Sequence, residues 1–251
     1  MLSQGVCRVV LGPWNIESSG LMSESRYREC VVSYLAVAAG AGTGNRVRAR
    51  PLAPGGGSVA LVRELLDVLR IQLACLDRKM AIRGAVLVDF AHIGVNGDDP
   101  VSGPTLARAR EMQANEVVFP RIAVEEAIVR RLRSDESLWT DGHGLRAEMD
   151  VIDCMLRVDE AGLHYVDYLR AGLGDFDYDF DRYAQFLERH KRIVETGLAG
   201  TPVCADSGTY HWLKTYHNAR IDEDISRSDA DAFVGACGRG MADALAPLRV
   251  A

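Results

Sequence analysis

The chain has 251 residues, 29 Lys and Arg against 35 Asp and Glu, and a formal net charge of −6. Its hydrophobic share is 48% and its charged share 25%, which excludes a mostly disordered, collagen-like or disulfide-scaffold protein. The acidic balance argues against a general nucleic-acid coat, because polymer phosphates attract a basic excess, but a local basic pocket for a small phosphate ligand is compatible with it.

No run approaches about 18 consecutive apolar residues, so no membrane span is expected. The first twenty residues lack the basic-then-apolar order of a secretory leader. Six cysteines, Cys7, Cys30, Cys75, Cys154, Cys204 and Cys237, show no C-x-x-C spacing. They read as free thiols, and the expected compartment is the cytoplasm.

In chain order, Cys7 to Gly12 is a candidate strand, and Cys30 to Val37, β-branched and aromatic, is a stronger one. Residues 40–57 carry glycines, prolines, Arg46, Arg48 and Arg50 and read as a long mobile loop. GAGTGN within it fails the G-x-G-x-x-G dinucleotide fingerprint. Ser58 is placed to cap a helix whose Leu61, Leu65, Leu66, Leu69, Leu73 and Leu76 recur mostly at threes and fours, predicting a core stripe. Ala81 to Val88 predicts a strand and Gly94 to Pro100 a turn. Gly103 to Asn115 predicts a helix, Val117 to Phe119 a short strand, and Ile122 to Arg133 a third helix.

Met155 to Val158 and Asp159 to Leu169 predict a hairpin. Asp175, Asp177, Asp179 and Asp181 alternate with aromatics, but an EF-hand would need Gly and Glu where Phe180 and Phe186 stand. A long helix from Tyr183 to Leu198 precedes the last motif, Ser207 to Asn218. Strands alternating with helices predict an α/β or α+β sheet with packed helices.

Three segments, in the same order, resemble the bacterial Pycsar pyrimidine cyclases. They are Arg83-Gly84-Ala85, Gly103-Pro104-Thr105-Leu106-Ala107-Arg108-Ala109 with Val118-Phe119-Pro120-Arg121-Ile122, and the Tyr210 to Asn218 ending with its Tyr-His-Asn. Asp159 to Leu169 is similar to that family's acidic hairpin, and the resemblance spans residues 27–218. It implies a class III nucleotidyl cyclase-like domain over residues 1–251: a ferredoxin-like sheet with helices on one face and a C-terminal extension from about residue 150. It further implies a head-to-tail homodimer that turns UTP or CTP into the 3′,5′-cyclic monophosphate and pyrophosphate in antiphage defence. The cyclic nucleotide then activates a separate effector.

Such chemistry calls for Mn2+ or Mg2+, two ions in the family, held by carboxylates, with arginines on the phosphates. The family uses two aspartates. With Leu11-Gly12 aligned, Val9 stands in place of the first, and Glu29 replaces the second. Asp89 stands where the family has glycine; it is either a replacement metal ligand or a strand-end aspartate facing water. Glu29 is either a ligand or a surface carboxylate beside Arg28. Arg83 and Arg108 are the phosphate candidates, with Thr105 beside them for the nucleotide; Arg83 alternatively buries its stem along the sheet. Arg121 is expected to pin a turn, His217 and Asn218 to form a structural hydrogen-bonding pair, and Trp212 to pack on Tyr216. Arg46, Arg48 and Arg50 either close over a triphosphate or stay solvated. The contrasting expectation is a degenerate cyclase-like protein that binds a nucleotide or partner without turnover.

Overall fold

A computed structural model describes residues 27–39, 44–53, 58–93, 101–139, 145–176, 179–200, 207–229 and 243–251. The expected Cys7 to Gly12 strand and Gly94 to Pro100 turn lie outside them, as do Cys7, Cys204 and Cys237.

Strand β1, Tyr27–Ala39, pairs antiparallel with β2, Asn45–Pro51, on one side and β3, Ala81–His92, on the other. Helix α1, Val59–Asp77, lies between β2 and β3 in sequence. Helix α2, Pro104–Asn115, carries the chain from β3 to the short β4, Ile122–Val124, which runs parallel to β3. After α3, Glu126–Ser134, and α4, Arg146–Met155, comes the hairpin of β5, Leu156–Val158, and β6, His164–Val166. Helices α5, Tyr168–Asp175, α6, Phe180–Gly200, and α7, Ser207–Asp229, follow. The six strands form one mixed sheet in the order β2-β1-β3-β4-β6-β5, an α+β arrangement.

Alternation along the strands gives each face its own core. Val31, Leu35, Ile82 and Val86 pack with the α1 leucines and with Ile128, Val129 and Leu132 of α3. Cys30, Val32, Tyr34, Ala85, Leu87 and Ala91 pack with Leu106 and Ala109 of α2. Helices therefore cover both faces, which corrects the expectation of helices on one face. All six leucines of the predicted stripe are buried. Cys30, Cys75 and Cys154 are free thiols, and burial pushes Cys30 and Cys75 up, away from the reactive thiolate.

Three local expectations are revised. Residues 45–51 are a strand, not a mobile loop, because Arg48 and Arg50 find carboxylate partners on α1, the buried Glu64 and the half-buried Asp67. Arg48 and Arg50 reach Asp67 at 2.6 and 2.7 Å and also bond Glu64, which is 1% exposed and accepts the Ser33 hydroxyl at 2.8 Å. Those clamps also answer the question left open about Arg48 and Arg50: they are structural. Val117 to Phe119 is not a strand: Val117 N–H donates to the Met112 carbonyl, closing α2, and Val118 stands exposed. The strand comes three residues later, and the helix expected from Ile122 starts only at Glu126, after Glu125 takes an extended conformation (φ −59°, ψ 136°). Finally, Ser58 precedes α1 but makes no side-chain cap bond; its N–H donates to Asp135 Oδ2 at 2.8 Å, tying α1 to the end of α3.

The Arg-Gly-Ala segment has a physical reason. A Cβ on Gly84 would lie 2.4 Å from the Tyr34 carbonyl oxygen and 2.8 Å from Leu35 Cδ2. The first obstacle is backbone in a buried strand pair and cannot swing aside. Gly84→Ala is expected to cost about 1–3 kcal/mol, seen as a lower urea midpoint with an unchanged slope. An unshifted midpoint would show that β1 and β3 can part at this point.

Candidate functional site

The expected site residues do not fall in one place. Cross-strand partners share a face, and Cys30 faces Asp89 while Glu29 faces Phe90. Glu29 and Asp89 therefore project to opposite faces of the sheet. Glu29 lies on the α1 side and pairs with Arg131 of α3 at 2.7 Å. It does not join Asp89 in a ligand set, and its charge partner is Arg131 instead of Arg28.

Asp89, on the α2 side, is brought to Arg108. Arg108 Nη1 lies 3.2 Å from Asp89 Oδ2, and its Nη2 contacts Glu125 Oε1. Glu125 is the residue that sequence reasoning missed. It directly follows β4, its N–H donates to the Val86 carbonyl at 2.9 Å, and its Oε2 accepts the Val88 N–H at 3.0 Å. Both bonds fix the carboxylate at the carboxyl ends of the parallel β3–β4 pair, where α/β sheets commonly bind ligands. A glutamate between a short apolar run and an amphipathic helix was the available signal.

Thr105 is fully buried, and its hydroxyl donates to the Phe90 carbonyl at 2.5 Å; it holds the start of α2 to β3. Arg83 lies six residues from Asp89, about 20 Å along the strand, and its Nε is buried without a hydrogen bond. The structure thus joins Asp89 to Arg108, holds Thr105 next to them but buried in the α2–β3 contact, and leaves Arg83 and Glu29 elsewhere. Arg121 Nη2 meets Asp159 at 2.7 Å, and its guanidinium lies 5.2 Å from the centre of the Tyr165 ring, pinning β4 to the hairpin. Trp212 stacks on Tyr216 at 4.9 Å, as expected.

A groove of about 450 Å³ opens beside Arg108, between α2, the end of β4 and the β5–β6 turn. Glu111, Glu116, Glu125 and Glu126 line it together with Arg108 and His164. Four carboxylates facing one guanidinium make a negative wall, which repels a bare polyphosphate and attracts a cation or a cation-bearing ligand. Among the described residues no three His, Cys, Asp or Glu side chains converge on one point. An ion carried in by a nucleotide needs only one or two protein carboxylates, the phosphates supplying the rest. Asp89 and Glu125, both within reach of one guanidinium, meet that donor requirement; Glu29 does not.

No family model, curated protein or solved structure matches the chain. Among the described residues no helix is long and apolar enough to cross a membrane.

Proposed function

We propose that the chain is a pyrimidine nucleotide cyclase, taking UTP or CTP to the 3′,5′-cyclic monophosphate and pyrophosphate. The reading rests on the motif order described above. The structural observation that supports it is the cluster of Asp89, Arg108 and Glu125 at the carboxyl ends of β3 and β4, beside the groove.

In the reaction the ribose 3′-oxygen attacks the α-phosphorus, its proton passes to water, and the bond to the bridging oxygen breaks, the electron pair leaving with pyrophosphate. Asp89 and Glu125 would hold Mn2+ or Mg2+, which lowers the pKa of the 3′-hydroxyl and neutralises pyrophosphate. Arg108, freed from those carboxylates when they take the ion, is the cation beside the phosphates, where developing negative charge needs donors. The negative wall favours the ion-loaded nucleotide over the free one. A head-to-tail homodimer and a cyclic-nucleotide-activated effector belong to the same proposal.

One observation favours a second reading, a nucleotide-binding protein without turnover. Glu29, standing where the family has a metal aspartate, faces away from Asp89 and is neutralised by Arg131. Incubation with each of the four ribonucleoside triphosphates and Mn2+, followed by mass spectrometry and equilibrium binding, separates the two. Cyclic UMP or cyclic CMP supports the first reading. Saturable pyrimidine triphosphate binding with no cyclic product supports the second, and neither product nor binding overturns both.

A further inference from the structure

Away from the groove, two buried histidines lie back to back between α6 and α7. Tyr168 Oη meets His190 Nε2 at 2.8 Å, His190 Nδ1 meets His217 Nδ1 at 3.1 Å, and His217 Nε2 meets the Leu248 carbonyl at 2.9 Å. Only one proton arrangement with both rings neutral satisfies every atom. The carbonyl only accepts, so His217 Nε2 carries hydrogen and its Nδ1 accepts. His190 then donates from Nδ1 and accepts at Nε2 from the tyrosine hydroxyl. Tyr168 and His190 are 1% exposed and His217 is fully buried.

The far end of this chain is the segment of residues 243–251. It is held by His217, by Lys191 on the Pro247 carbonyl at 2.9 Å, and by Asn218, which exchanges two bonds with Val250 at 2.9 and 3.0 Å. Arg249 pairs with Asp222, and Lys214 donates to the Ala251 carbonyl. The segment's own Leu245 and Val250 are buried, Val250 beside Val194 and Leu213.

We propose that His190 and His217 are a proton-operated latch: a proton taken up by the pair breaks the chain from Tyr168 to Leu248 and releases residues 243–251 from α6 and α7. An added proton puts two N–H groups face to face, or reverses the chain and leaves the Tyr168 hydroxyl hydrogen with no acceptor. It also buries a charge. The ionisable groups facing the pair offer no neutralising contact. Asp167 on the α5 side is engaged by Arg157 and Tyr216. On α6, Lys191 opposes Glu195 beside His217. On α7, Lys214 is turned to the segment itself, where Arg249 is engaged by Asp222. Burial holds both imidazoles below their ordinary value, with the neighbouring His217 adding to the effect on His190. His217 Nε2 is the end of the pair that meets the segment directly, at the Leu248 carbonyl.

The direction with pH follows. The open form titrates near the ordinary histidine value of about 6.5, while the closed form refuses the proton, so closure is complete above that pH and weakens below it. One linked proton shifts the equilibrium about tenfold per pH unit, which predicts about tenfold more opening at pH 5.5 than at pH 7.5.

Hydrogen exchange of the full chain, corrected for the chemical exchange rate, tests this. Peptides covering 243–251 are expected to lose about tenfold protection from pH 7.5 to 5.5 while those of α1 and β3 keep theirs. His217→Gln retains a donor for Leu248 and an acceptor for His190 without titrating in this range, and is expected to flatten the response. Unchanged protection of the segment in the wild type overturns the latch, as does loss shared equally with α1 and β3, or a pH response undiminished in a folded His217→Gln. Should that variant fail to fold, the wild-type comparison of segment with core decides alone.

Discussion

If the chain is the cyclase proposed above, Arg108→Ala is expected to lower kcat/KM for cyclic nucleotide formation about 10²- to 10³-fold, the usual loss when one donor to developing charge is removed. The fold should tolerate the change. Arg108 is 47% exposed and Asp89 44% exposed at the side chain, so water replaces the guanidinium. Glu125 keeps its bond from the Val88 N–H. The stability change is expected to stay within about 1 kcal/mol, the scale of exposed ion pairs. Arg108→Lys keeps the charge but loses the planar fork that now spans two carboxylates, so its activity falls between wild type and alanine. Initial rates with UTP or CTP and Mn2+, alongside a thermal melt, check both parts. Full activity in Arg108→Ala removes Arg108 from the site.

The largest stability effect belongs to Glu64→Ala, expected to cost about 3–5 kcal/mol. Glu64 is the buried acceptor for Ser33 of β1 and for Arg48 and Arg50 of β2. Without it, two guanidiniums about 15% exposed each lose a buried carboxylate partner, and one buried hydroxyl loses its acceptor. The melting temperature should fall by roughly 10 °C for a chain of this size, and amide protection should be lost first along β2. Glu64→Gln retains an acceptor for Ser33 and is expected to lose less. An unshifted melt for Glu64→Ala would mean that β2 is held by its ladder alone.

Much of the architecture is legible in the residues. The leucine spacing from Leu61 to Leu76 places α1 and its buried face, and the β-branched run through Val31 and Val32 places β1. The apolar turns of α6 and the hairpin around Gly162 are equally direct. Strand β2 is hidden because its stabilising partners, Glu64 and Asp67, lie on another element, and local composition speaks only of glycine, proline and arginine. Strand β4 is hidden because three apolar residues run straight into an amphipathic helix, and periodicity cannot mark the join. Asp89 and Arg108 are candidates that the structure brings together, whereas Glu29, named for its place in the segment that resembles the family's second aspartate, lies on the opposite face. Which face a strand residue takes depends on register, and register is a property of the pairing.

The three residues of β4 leave a seam across the molecule. They make three pairs with β3 but only one with β6, Ala123 with Tyr165. Within the sheet, strands β2, β1 and β3 therefore form one panel and the β5–β6 hairpin another, and the join in the ladder is narrow, while the core that holds Val31 and Val166 continues beneath both. The groove has Leu87 on one panel and Leu163 and His164 on the other. A molecule filling it acts as a staple across the join, raising the force needed to pull the panels apart.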